Sequence, residues 1–227
     1  MSNSKRVDAG RKAKLDGHIM EKSLAEIRTE ETGMQYYTDG AKNTKVDIYA
    51  GNHENPIAAE SQKSPSGNHT QVALYPVANW CAFHGHDTEW YYEFFGQPGT
   101  GKAGRKNRSQ ISESLNQEAL DLLNKMEWFD SVVVTGIYNV NGIPTAGTAI
   151  DRVTWFDKLN NKIVSSRTVE ELRKNIHGGK WMFSTHKGDE NATVLWFVDK
   201  NGKKLYHLQM KGSGSSPNSM QFHIYKQ

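Results

Sequence analysis

The stretch from residue 45 to residue 63 constrains the fold of this chain more tightly than any other. It reads Lys-Val-Asp-Ile-Tyr-Ala-Gly-Asn-His-Glu-Asn-Pro-Ile-Ala-Ala-Glu-Ser-Gln-Lys. Val46, Ile48 and Ala50 alternate with Asp47 and Tyr49, which is the period of a strand, and Gly51, Asn52, Asn55 and Pro56 interrupt it with a turn. Ile57, Ala58 and Ala59 open a second strand that ends in polar side chains. Successive side chains of a strand point to opposite faces, so Glu60 and Gln62 are expected to share one. Pairing of the two strands would bring Asp47 alongside them. Carboxylates gathered at a strand end repel one another, and a divalent cation relieves that repulsion. Hard oxygen donors of this kind suit magnesium.

Composition sets the outer bounds. A chain of 227 residues is long enough for one sizeable core, and a single domain over residues 1 to 227 is expected. Mean hydropathy is -0.72, and no apolar run approaches the ~20 residues of a membrane span. The first residues lead into charge and not into an apolar signal core, and the lone Cys81 leaves no internal disulfide to form. Both features fit a cytoplasmic protein with no membrane partner. Net charge is only +3, but basic residues crowd at Lys5, Arg6, Arg11, Lys12 and Lys14, and again at Lys102, Arg105, Lys106 and Arg108. Clusters of this kind can neutralise phosphates, and residues 1 to 13 are expected as a mobile basic arm.

Asp47, twelve residues, Glu60, one residue and Gln62 together resemble the catalytic core of the PD-(D/E)XK nucleases, and more narrowly that of the type II restriction endonucleases. In that family an Asp opens the motif on one strand, and a Glu or Asp followed two residues later by Lys closes it on the next. Here Val46 stands where the family has Pro, and Gln62 stands at the Lys position with Lys63 one step later. Residues 16 to 30 read as a helix capped by Asp16, with Ile19, Met20, Leu24 and Ile27 at helical spacing. Its segment Gly17-His18-Ile19-Met20-Glu21 resembles the first-helix signature of the family, in which a Glu reaches toward the metal. The resemblance covers roughly residues 14 to 95. It implies a central mixed β-sheet flanked by helices, an α/β or α+β protein of the restriction-endonuclease kind. It also implies a homodimer that hydrolyses double-stranded DNA with Mg2+. Asp47 and Glu60 would be the metal ligands, Gln62 and Lys63 would orient or assist the attacking water, and Glu21 would stand near them.

The remaining chain supplies candidate contacts and competing readings. Asn68 is placed to cap a helix containing Val72, Val77, Trp80 and Phe83, divided at Pro76. Residues 89 to 95 read as a strand, 109 to 127 as a helix, and a strand begins at Val132. Thr168 caps a short helix with Glu170 or Glu171 in its first turn. Strands follow near 180 to 185, 193 to 199 and 204 to 210. Asn68, His69 and Gln71, with the polar side chains from Gln209 to Gln221, are candidate readers of base edges, and Lys211 is a candidate DNA contact.

Three rival sites compete with the hairpin. Asp199 with Gln209 and Lys211 repeats the nuclease pattern but lacks its second acid. His84, His86 and Asp87 resemble a zinc cluster without the further ligands zinc wants. Residues 96 to 102 match the letters of a phosphate-binding loop, yet Ala103 stands where the magnesium-holding Ser or Thr belongs. The alternative functions are therefore a non-catalytic nucleic-acid-binding protein and a nucleotide-binding protein dependent on Lys102.

Overall fold

The structure, a computed structural model, describes residues 3–39, 44–64, 69–95, 113–125, 127–186, 189–210 and 219–226. The protein is a mixed α+β molecule. Its first helix, α1 (Asn3–Thr32), is followed by β1 (Tyr36–Thr38), β2 (Ile48–Gly51) and β3 (Pro56–Lys63), three strands in antiparallel order. The chain then leaves this sheet through β4 (His69–Pro76), α2 (Val77–Phe83), α3 (Glu89–Phe95), α4 (Glu113–Lys125) and the hairpin β5 (Ile137–Val140) and β6 (Ile143–Ala146). It returns as β7 (Arg152–Asp157), parallel to β3, with β8 (Lys162–Thr168) antiparallel outside it. The first sheet therefore runs β1-β2-β3-β7-β8. After α5 (Val169–Ile176) come β9 (Lys180–His186), β10 (Asp189–Val198), β11 (Lys204–Met210) and β12 (Ser219–Tyr225), which join β4 in a second sheet of order β4-β12-β11-β10-β9.

The main core lies between the two sheets. Ala59, Val153 and Trp155 of the first sheet and Tyr206, Leu208, Phe222 and Ile224 of the second belong to one buried cluster. Helix α1 covers the outer face of the first sheet, where Leu24 and Ala25 pack with Ile48, Ala50 and Phe156. The centre of β3 is thus enclosed on both faces, with Ala59, Glu60 and Ser61 all buried. No helix among the described residues is long and apolar enough to cross a membrane.

Several elements depart from the sequence reading for identifiable reasons. Helix α1 begins at Asn3, so residues 3 to 13 are helical and not an arm; no proline interrupts them and good helix formers prevail. Residues 69 to 76 form a strand because Thr70, Val72 and Tyr75 suit a pleated surface and β12 supplies the partner, while Pro76 serves as the N-cap residue of α2. Residues 89 to 95 are helical, started by the Asp87 carboxylate, which accepts the Glu89 N–H at 2.9 Å. Val132, Val133 and Val134 lie in a π-helical turn before β5. The capping box at Thr168 and Glu171 stands as read.

Candidate active site at the cleft between the sheets

The pairing register of β2 and β3 decides which polar residues meet. Ile48 stands opposite Glu60, and the Asp47 N–H donates to the Glu60 carbonyl at 2.8 Å. Asp47 therefore faces the side of β3 that carries Ser61 and Lys63, not the side that carries Glu60 and Gln62. Its Oδ2 accepts from the Gln62 backbone N–H at 2.5 Å and from Ser61 Oγ at 3.1 Å. Lys63 Nζ lies 3.7 Å from the same oxygen and donates to Ser61 Oγ at 2.6 Å.

Glu60 is not a partner of Asp47: it faces the other side of β3. It is 2% exposed and locked to Arg28 of α1, whose Nε lies 2.8 Å from Glu60 Oε1. Arg28 Nη2 and Thr154 Oγ1 donate to Glu60 Oε2 at 3.1 and 2.8 Å. Arg28 Nη2 also reaches Ser166 Oγ at 2.8 Å. Burial opposes the charged guanidinium, but Glu60 and Glu31, the latter 2.6 Å from Arg28 Nη1, together outweigh it and hold the Arg28 pKa above its ordinary value. Gln62 points the same way as Glu60, and its Oε1 is buried without a hydrogen bond among the described residues. It does not orient a group at Asp47 through its side chain; its backbone N–H does that instead. The register eludes sequence reading because β3, buried on both faces from Ala59 to Ser61, shows no alternation to match that of β2. An irregularity between Ala50 and Gly51 adds a further shift.

Glu21 lies on α1, the helix packed on the outer face of the first sheet. Burial raises its carboxyl pKa; a 3.0 Å contact with His18 opposes the rise, and the charges of Asp47 and Asp39 add to it. Asp39 itself is engaged by His53 Nε2 at 2.8 Å and Thr44 Oγ1 at 2.5 Å. Lys45, which sequence reading passed over, is buried and donates to the Val72 carbonyl at 2.8 Å. Burial holds its pKa well below the ordinary lysine value, and the charge of Lys63 pushes the same way while Asp47 opposes. Asp47, Lys45 and Lys63 open with Gln71, Asn79 and Tyr138 into a cleft of about 510 Å³ between the sheets.

The other candidates divide cleanly. His69 and Gln71 of β4 and Gln209 of β11 lie on one face of the second sheet, joined there by Gln221 of β12. Asn68, Lys102, Arg105, Lys106, Arg108 and Lys211 lie outside the described residues, as does the glycine-rich stretch from 96 to 103. Asp199 shapes a turn, its Oδ1 accepting from the N–H groups of Asn201 and Lys203 at 2.9 and 2.8 Å, at the opposite end of β11 from Gln209. His84 spends a ring nitrogen on Ser131 Oγ at 2.9 Å, and Asp87 caps α3. Among the described residues no three His, Cys, Asp or Glu side chains are gathered to hold a metal. No protein-family model and no curated protein matches the chain, so the site is read from its own geometry.

Proposed function

We propose that the protein is a magnesium-dependent endonuclease acting on double-stranded DNA, of the restriction-endonuclease-like kind. The observation that carries this reading is the pair Asp47 and Lys63, 3.7 Å apart at the mouth of the cleft, Asp47 just before β2 and Lys63 at the end of β3. The nuclease motif has this two-strand arrangement, with its Asp on one strand and its Lys on the next. In the observed register Lys63 takes the place of the motif Lys and Ser61 the place of the motif acid.

A magnesium ion at this cleft would rest on Asp47 and not on Glu60. Magnesium is commonly held by one or two carboxylates, with water and substrate phosphate filling the other positions. Asp47 would be such a carboxylate; Glu21, whose carboxyl pKa the Asp47 charge helps to raise, sits on the helix that covers the other face of the sheet and is not among the residues lining the cleft. When bound, the ion supplies polarisation of the scissile phosphate and a lowered pKa for the attacking water. The chain's own residues do the positioning. The Gln62 N–H and Ser61 Oγ fix the orientation of the Asp47 carboxylate, and Lys63 offers its ammonium to a phosphate oxygen. A homodimer would match a two-fold DNA site and cut both strands.

The test is incubation of the wild-type chain with plasmid and phage DNA, with and without magnesium. Discrete fragments that require magnesium are expected, and both Asp47→Ala and Lys63→Ala should abolish them. Removing the Asp47 charge also removes repulsion from phosphate, so Asp47→Ala should keep its DNA affinity in metal-free buffer. Intact DNA with a mobility shift would replace hydrolysis with non-catalytic nucleic-acid binding.

A further inference from the structure

The face of the second sheet turned away from the common core carries a row of side-chain amides. Gln209 Nε2 donates to Gln221 Oε1 at 3.2 Å, and Gln221 Nε2 donates to Gln71 Oε1 at 2.8 Å. The three residues come from β11, β12 and β4, which are adjacent. At ~4.8 Å between strands the row spans about 10 Å. Its last member, Gln71, is exposed and lines the same cleft as Asp47 and Lys63. Beside the amides runs a row of rings in direct cross-strand register, Trp196 opposite His207 and His207 opposite His223, which faces Gln71. His207 and His223 stack at 4.3 Å, and Trp196 meets His207 edge-on at 4.8 Å.

We infer that this amide row reads base edges in the major groove of double-stranded DNA and sets the sequence preference of the cleft, with Gln71 contacting adenine. The inference rests on the endonuclease reading for its ligand. Hydrogen bonds between accessible amides replace bonds to water, so each adds only ~0.5–1.5 kcal/mol to the fold. What the row supplies is orientation. With Gln71 Oε1 tied to Gln221, its Nε2 keeps both N–H donors and its oxygen keeps a second lone pair. Adenine presents the complement in the major groove, the N7 acceptor beside the N6 donor. A span of about 10 Å also fits a groove about 12 Å wide. Because Gln71 shares a cleft of about 510 Å³ with Asp47, the adenine it reads lies close along the strand to the scissile phosphate.

The experiment selects bound DNA from a randomised duplex library in metal-free buffer, using the full-length wild-type chain and the variants Gln71→Ala, Gln209→Ala and Gln221→Ala. Cleavage of the enriched sequences is then measured separately with magnesium. The wild type should enrich a motif that contains adenine. Gln71→Ala should lose about 5- to 150-fold in preference at one position while its affinity for random DNA and its melting temperature hold. Gln209→Ala and Gln221→Ala should blur the preference at Gln71's position and at its neighbours. An enriched motif that the wild type binds but does not cut removes the endonuclease reading and leaves this inference standing. The same motif from all three variants, or no motif from the wild type, overturns the inference whatever cleavage shows.

Discussion

Replacing Glu60 by Ala should destabilise this protein whatever it does to catalysis. The change removes a carboxylate that is 2% exposed and leaves the Arg28 guanidinium, itself 9% exposed, without its main counter-charge. Breaking a buried ion pair at one end costs about 3–5 kcal/mol. For a chain of this length each kcal/mol moves the melting temperature by about 2–4 °C, so a drop of roughly 6–20 °C is expected. The double variant Arg28→Met with Glu60→Leu removes both charges. Thr154 Oγ1 and Ser166 Oγ, which lie 2.9 Å apart, can then satisfy each other. Its stability should return to within about 1–2 kcal/mol of the wild type, since buried pairs are often replaceable by apolar residues. Circular dichroism melts of the wild type, the single variant and the double variant supply the three temperatures, and magnesium-dependent cleavage is measured on each folded protein. A single variant that melts with the wild type would refute the energetic reasoning. A folded double variant that has lost cleavage would return Glu60 to the metal.

Two further outcomes follow from local geometry. Burial, with neighbouring His86 and His69 adding to it, holds the pKa values of His84 and His223 at about 4, below the ordinary 6.5. The unfolded chain therefore binds more protons between those values. Their contribution to stability is complete above about pH 6.5 and is lost as pH falls toward 4, so urea midpoints should drop across that window. His223→Gln should flatten the drop, and an unchanged midpoint from pH 7 to pH 4.5 would contradict the burial of these rings. Gly179→Ala places a methyl 2.4 Å from the Val198 carbonyl and 2.6 Å from the Phe197 ring. It should destabilise by about 1–3 kcal/mol in the same assay, and a neutral result would mean the backbone there yields freely.

Local signals were legible in the sequence wherever local chemistry decides. Thr168 and Glu171 form their capping box because both partners lie within one turn, and Gly51 through Pro56 divide two strands because turn residues act on their own backbone. The site was legible only in part, for a physical reason. Asp47 and Lys63 could be named, but their meeting depends on register, which a strand buried on both faces does not advertise. The Arg28 partnership joins residue 28 to residue 60 across a helix–sheet interface, and no spacing rule links them. Residues 69 to 76 were read as helical because Asn68 could cap and Val77, Trp80 and Phe83 follow in sequence. A strand won there because β12 pairs with it. The amides of residues 71, 209 and 221 form a row only through that same long-range pairing.

The order in which the strands pair also governs how this chain can be made. Glu60 waits for Arg152, and His69 waits for Tyr225 on β12, both far behind them in the sequence. Neither sheet can close from a partial chain, and closing such long loops slows the search for native pairings. Until β12 pairs, β4 carries an unpaired edge beside the apolar residues that later form the core. Deletion of β12 would leave that edge exposed permanently beside the cleft, so the shortened chain would aggregate before it merely lost stability.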